Sequence, residues 1–373
     1  MYVERPELEL ALSRALEGHM HLVIHGESGS GKTWLYKRVF QKLNVKFSVA
    51  NLSHVARDRR IDDVIYREVC STVQMRQEEL VQDRLERSFE LLRNFAGDAP
   101  CCIVLDNLEV IFQSAHLMQE LGNVLILLDD ERYARHYVKL LIVGVPAGVR
   151  SYFAKAPTSA SIANRLSELP EVARMSKEQV TQFALRGFRE KLCYSPGSTS
   201  WEDVAAHVDW VTMGVPQRLH EYCLALAQLA EPSKRIEAEN LLRADQVWLK
   251  SHLSAAYSRV LGFMNDRDTK LGRRNQVLYA LGRVERSEFR YNEVEEIVRR
   301  EFSKSAGGKT LNVSGMLSEL AEKHDSIIKR SPKNELYQFV DPVYKMCIRA
   351  MLFRDGERVF NREPQEMLEL PVD

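Results

Sequence analysis

Gly26-Glu27-Ser28-Gly29-Ser30-Gly31-Lys32-Thr33 is the stretch that decides the fold. It matches G-x-x-x-x-G-K-[ST] in full. Glycines let the backbone curl so that successive N–H groups converge on a β-phosphate. Lys32 adds a positive charge toward the β- and γ-phosphates, and Thr33 opens the next helix and offers its hydroxyl to Mg²⁺. The N-terminus of that helix adds a partial positive charge. His21 to His25 is a short apolar strand entering the loop, and Lys32 to Leu43 is helical after it. A glycine-rich turn with no ligand is the alternative, but strand, loop and helix in that order favour ATP (or ADP) held with Mg²⁺.

Such a loop needs a carboxylate at the end of another strand to hold Mg²⁺. Two strings compete: Cys101-Cys102-Ile103-Val104-Leu105-Asp106, and Val124-Leu125-Ile126-Leu127-Leu128-Asp129-Asp130-Glu131. Leu117, Leu121, Val124, Leu125 and Leu128 fall on one helical face, so the second string continues a helix. It also leaves too little chain before the strand at Val138 for a parallel crossover with its own helix. Asp106 is therefore expected to share the metal with Thr33. Asn107 follows it, and an amide orients water without accepting its proton. Glu109 is the nearest carboxylate able to take that role; its alternative is a surface residue at a helix start.

Strands at His21–His25, Lys46–Leu52, Cys101–Leu105 and Val138–Val143 alternate with helical stretches. Alternation of this kind implies an α/β fold, a parallel sheet with helices on both faces. Residues 61–95 leave room for two helices or one broken one. From Ser176 to about Lys250 only helical patterns occur, interrupted at Ser195-Pro196-Gly197, Gly214-Val215-Pro216 and Glu231-Pro232. The expected organisation is a nucleotide-binding core over 1–170, a helical lid over 171–250, a third module over 251–354, and a loose acidic tail over 355–373.

In the third module Arg274–Gly282, Asn292–Phe302 and Val313–His324 read as helices, followed by strands at Ile327–Arg330 and Glu335–Phe339. Ser331-Pro332-Lys333-Asn334 is the turn between them. This is a winged-helix order. Asp341 caps a last helix that opens on Pro342. Lys plus Arg (52) equals Asp plus Glu (52) over the whole chain, yet residues 250–354 hold 20 basic against 13 acidic side chains, an excess of seven. That excess suits phosphate contacts. Lys309, Lys323, Lys329, Arg330 and Lys333 surround the third helix and the wing, and duplex DNA is one candidate partner. A partner protein is the other.

No apolar run approaches the ~18–20 residues of a membrane helix, and the N-terminal residues lack the pattern of a signal peptide. The six cysteines form no C-x-x-C pair. Reduced thiols and a cytoplasmic location are expected, with no metal site built on them.

The phosphate loop, the strand ending in Asp106 and Leu141-Ile142-Val143-Gly144-Val145-Pro146 resemble AAA+ ATPases of the origin-initiator and transposition-regulator branch. The resemblance implies three further roles. Tyr2-Val3-Glu4-Arg5-Pro6-Glu7 is similar to the segment beside the adenine, so Tyr2, Val3 and Arg5 would line the base. Asn164-Arg165-Leu166 is placed like the arginine finger that reaches a neighbouring subunit's γ-phosphate. Gly214-Val215-Pro216-Gln217-Arg218 resembles the lid motif whose arginine senses that phosphate. Arg165 as a surface residue and Arg218 in a helical salt bridge are the plainer alternatives. Tyr337-Gln338-Phe339-Val340-Asp341-Pro342 resembles winged helices that end microbial AAA-type ATPases.

Two features depart from that branch. Asp106-Asn107 with Glu109 looks more like the NACHT and NB-ARC signalling ATPases, and Val145 stands where many AAA+ proteins keep a polar water sensor. Both point to slow hydrolysis. N-K-x-D and L-S-G-G-Q are absent, which disfavours GTPases and transporter ATPases. Three readings follow: a homo-oligomeric AAA+ ATPase whose nucleotide state controls assembly on DNA; a nucleotide-gated signalling switch, in bacterial defence for example, with the winged helix as a latch; and a nucleotide-binding scaffold without turnover.

Overall fold

The computed structural model describes residues 3–57, 60–78, 80–145, 147–155, 160–265, 272–322, 324–331 and 335–362. Tyr2, Lys323, Lys333 and residues 363–373 of the expected tail lie outside them. The chain divides between Arg174 and Met175 into two compact units.

In the first unit, α1 (Pro6–Glu17) precedes β1 (His21–His25), and α2 (Lys32–Lys42) follows the phosphate loop. Next come β2 (Lys46–Asn51), a 3₁₀ stretch at Leu52–Arg57, α3 (Ile61–Thr72), α4 (Arg84–Ala96) and β3 (Cys101–Asp106). Then follow α5 (Glu109–Phe112), α6 (Ala115–Leu127), α7 (Glu131–Ala134), β4 (Val138–Gly144), α8 (Val149–Lys155), α9 (Ala160–Ala163) and β5 (Leu166–Glu168). The charged stretch over 61–95 thus makes two helices, the second capped by Asp83, whose side chain accepts from the Glu86 N–H.

Among the described residues the strands form one parallel sheet in the order β2-β3-β4-β1-β5. Its central strands are nearly continuous apolar runs because helices cover both faces. Cys102 and Val104 of β3 join Leu22, Ile24, Leu141 and Val143 in a core against α1 and α2. Cys101, Ile103 and Leu105 face the opposite core with Val23, Leu140 and Ile142, against α3, α4 and α6. Each buried Leu, Ile or Val side chain contributes roughly 1.5–3 kcal/mol. The crossover from β1 passes β4 and β3 to reach β2. β1 is therefore an interior strand, and its loop opens at the carboxyl edge of the sheet, where open α/β folds bind ligands.

The second unit begins with α10 (Lys177–Ala184), opened by a reciprocal Ser176–Gln179 capping box and continued by a π-helical stretch at Leu185–Lys191. β6 (Ser195–Pro196), α11 (Trp201–Thr212), α12 (Pro216–Ala230), β7 (Arg235–Ile236), α13 (Ala238–His252) and α14 (Ser254–Leu261) follow, with β6 parallel to β7. Then come α15 (Arg273–Arg283), β8 (Glu288–Phe289), α16 (Tyr291–Glu301), α17 (Ser303–Ala306), α18 (Val313–Glu322), β9 (Ile328–Arg330), β10 (Tyr337–Phe339) and α19 (Pro342–Met351). The strands pair antiparallel in the order β8-β10-β9. Phe289 of β8 is fully buried and stacks on Tyr337 at 6.3 Å. Asp341 caps α19 by accepting from the Val343 N–H at 2.8 Å.

One expectation is corrected at the C-terminal end. β11 (Leu352–Asp355) and β12 (Arg358–Asn361) form an antiparallel hairpin where a loose tail was expected from residue 355. Phe353 stacks on Phe360 at 5.6 Å, and Arg362 pairs with the buried Asp245 at 2.5 Å, which ties the hairpin down. The lid stretch and the third module, separated in the sequence, fall within this one unit. Among the described residues no helix is long and apolar enough to cross a membrane.

Candidate functional site

The phosphate loop is shaped by backbone that only glycine adopts freely. Gly31, in the left-handed region at φ +95°, forms the N-cap of α2. Gly26 has φ +153°, and a Cβ there would lie 2.5 Å from the Val172 carbonyl oxygen. The loop thus leans on residues 172–174, which return along the sheet edge: the Val172 N–H donates to the His25 carbonyl at 2.9 Å. The buried Ser30 hydroxyl has no hydrogen-bond partner inside the loop.

Lys32 opens α2, and its ammonium donates to the carbonyls of Gly26 at 2.8 Å and Glu27 at 2.9 Å. Burial lowers its pKa, against the pull of Glu109, Asp106 and Glu27. Asp106 ends β3. Burial pushes its carboxyl up, as does Glu109, while the Asn107 N–H, Lys32 and Lys37 act the other way. A desolvated carboxylate and a desolvated ammonium at one place form a donor set that a phosphate and a hard cation would complete. Orphaned Ser30, the Gly26 cradle and this pair all fit a nucleotide with Mg²⁺.

Asn107 is left-handed at φ +64°, a conformation asparagine tolerates better than most residues. Its side-chain amide donates to Asn51 Oδ1 at the end of β2 at 2.9 Å, and Asn51 Oδ1 also accepts from the Ser53 N–H. Glu109 stands at the first turn of α5, where its Oε2 accepts from the Val145 N–H at 3.1 Å. Val145, just past the end of β4, thus holds the Glu109 carboxylate through its backbone.

Val3 is buried, and the Arg5 guanidinium donates to the Ala173 carbonyl at 2.9 Å, next to the residue that braces Gly26. The N-terminal segment therefore runs beside the loop. Arg174, which sequence reasoning missed, grips Glu27 through one guanidinium edge, Nε and Nη2 donating to the two carboxylate oxygens at 2.8 Å each.

Val124 to Leu127 lie in α6, and Asp129 follows that helix. Arg165 donates from Nε to Asp129 at 2.5 Å. Leu166 pairs with His21, the first residue of β1, whereas the phosphate loop follows His25, the last. At ~3.3 Å per residue these ends are about 13 Å apart. Arg165 therefore stands at the amino edge of the sheet, away from its own chain's loop. Arg218 lies in the second unit, on the first turn of α12, paired with Glu221 at 2.9 Å. Lys329 and Arg330 are exposed on β9, with Arg330 paired to Glu335 at 3.1 Å, and Lys309 is exposed before α18.

Sheet order, loop and paired carboxylate define the first unit as a P-loop nucleotide-binding domain. Residues 15–153 match the AAA domain family, so the likeness lies within the first unit. Its fold is that of a Walker-type ATPase of Pyrococcus abyssi, at 15% identity over 93% of this chain and 96% of that one, with a TM-score of 0.52. It is also that of the ADP form of the ORC2 protein of Aeropyrum pernix, at 13% identity over 93% and 92%, with a TM-score of 0.51. At these identities the likeness concerns fold alone. No curated protein sequence matches the chain.

Proposed function

We propose that this protein is an AAA+ ATPase that binds ATP with Mg²⁺ and couples nucleotide state to self-assembly and to duplex DNA. The observation that carries the reading is the glycine cradle at Gly26 and Gly31 with the unpaired Ser30 hydroxyl, Lys32 at the start of α2 and Asp106 at the carboxyl end of β3. Lys32 holds the β- and γ-phosphates, and Thr33 and Asp106 hold the metal, which when bound neutralises phosphate charge. Gly26 to Gly31 supply backbone N–H groups, and the N-terminal segment at Tyr2, Val3 and Arg5 flanks the base. Arg165, remote from its own loop, serves a neighbour's site in a homo-oligomer, and Arg218 reports the phosphate to the helical stretch. Helices α15, α16 and α18 with strands β8-β10-β9 make a winged helix. Lys309, Lys329 and Arg330, with Lys323 and Lys333, meet DNA phosphates.

A second reading is favoured by Asn107 and by the tethering of Glu109 to Val145. With no free carboxylate in the water-activating place, turnover is slow, and nucleotide exchange gates a signalling assembly whose winged helix contacts protein. Anisotropy of a labelled duplex with the full chain, across salt and with ATP, ADP or neither, separates the two. Phosphate contacts predict steep loss of affinity as salt rises. Replacing Lys329, Arg330 and Lys333 together by Ala weakens all sequences alike and flattens that slope. If no nucleotide state binds at low salt, the DNA role is wrong and the signalling reading takes its place.

A further inference from the structure

In the second unit, α11, α15, α19 and β11 frame a pocket of about 370 Å³. Its lining includes Arg283, Arg349, Arg354 and Arg362 and, among the described residues, no carboxylate. The larger groove on the other side of Arg283 differs, because arginines and glutamates share its walls. Arg354 pairs with Glu301 and Arg362 with Asp245, both carboxylates standing outside the pocket lining.

Arg283 and Arg349 both lie against one ring. The Arg349 guanidinium lies 3.7 Å from the Trp210 ring centre and that of Arg283 5.5 Å from it, with Arg283 also 4.9 Å from Tyr279. A guanidinium held against aromatic rings keeps N–H donors in its own plane, the fork that takes phosphate oxygens in pairs. Arg349 spends part of its edge on the carbonyls of Gly282 and Trp210. Arg283 does not: its buried Nε has no acceptor, and no carboxylate among the described residues pairs with it. A buried donor without a partner is costly, and an anionic oxygen would satisfy it. Ile348, Leu352 and Phe353 give the same pocket an apolar wall.

We infer that this pocket binds a small phosphate-bearing molecule with a flat apolar body, of the size of a nucleoside monophosphate, through Arg283 and Arg349. The volume falls at the lower end of the ~300–1,000 Å³ of small-molecule sites. The site is separate from the phosphate loop, and a monophosphate tells them apart, since the loop grips a β-phosphate that AMP lacks.

The test is calorimetry of AMP into the full chain at low salt, with Lys32→Ala in parallel. One AMP per chain is expected in both proteins. Arg283→Gln should weaken it tenfold or more, and Arg283→Lys, which keeps the charge but loses the fork, by less. Trp210 fluorescence and the melting temperature check that each variant is folded; should Arg283→Gln fail to fold, the Arg283→Lys affinity decides. No AMP uptake by the full chain would overturn the inference. So would uptake that Lys32→Ala abolishes, or uptake that neither Arg283 variant changes.

Discussion

Arg174 and Glu27 join the last residue of the first unit to the phosphate loop through two parallel 2.8 Å hydrogen bonds. The pair is partly exposed, so its direct contribution to stability is small, about 0–1 kcal/mol. Its effect on an anionic ligand is larger and has a sign. Arg174→Ala leaves a bare carboxylate beside the phosphates and should weaken ATP binding by about 1 kcal/mol, or roughly fivefold. Glu27→Gln frees the guanidinium and should strengthen binding by a similar factor. Titrations of both variants at moderate salt check this; changes of the same sign would show that the bridge acts only on loop shape.

Asp106 and Asp129 test the placement of the metal. Asp106→Asn should abolish the Mg²⁺ dependence of ATP binding, and Asp129→Asn should leave it intact. The opposite result would move the site to the end of α6. Stability gives a second readout. The folded pKa of Asp106 is raised, chiefly by burial. The fold then binds that proton more tightly than the unfolded chain, and the contribution is fully present below the unfolded pKa of about 3.9 and lost as pH rises through the folded value. Asp106→Asn should therefore raise the melting temperature at neutral pH, and the gain should shrink toward pH 3.

Arg165 lies at the amino edge of the sheet, so a catalytic role requires a second chain. Turnover per chain should rise with protein concentration. Arg165→Ala should lower it by up to ~10³-fold while leaving ATP binding by the monomer unchanged. Turnover that ignores concentration would favour an isolated switch.

His21 supplies a pH dependence. Its Nδ1 accepts from the Leu140 N–H at 3.1 Å, and burial, followed by Lys139, brings its pKa down to about 4. The unfolded chain takes up a proton near pH 6.5 that the fold refuses, so stability is present above that pH and lost as pH falls toward 4. The loss should be about 1–3 kcal/mol. His21→Asn, which keeps an acceptor but does not titrate, should flatten denaturation midpoints across this window; an unchanged slope would assign the acid sensitivity to other groups.

The parts of the site that were legible in the sequence are those carried by adjacent residues. Gly26 to Thr33 declares its curl and its charges within eight positions, and helical spacing through Leu128 was enough to read the stretch before Asp129 as helix and that before Asp106 as strand. Arg174 was not legible, because its partner lies 147 residues away and nothing local marks the pair. β8 escaped notice because two residues carry no alternation; tertiary pairing with β10 makes it a strand. The β11–β12 hairpin had a signal in Asp355-Gly356, a turn dipeptide between Phe353 and Phe360. The acidic, proline-bearing end of the chain outweighed it. Arg283 and Arg349 lie 66 residues apart with no local pattern linking them, and only the fold brings both to Trp210.

Nucleotide binding at the phosphate loop is the claim on which the rest depends, and one substitution reaches it directly. Lys32→Ala removes the ammonium and leaves the glycine backbone in place. Calorimetry with ATP and Mg²⁺ should show one tight site in the wild-type chain. In the variant, affinity should fall by roughly 1.5–3 kcal/mol, about tenfold to a hundredfold. An unchanged dissociation constant would contradict the account.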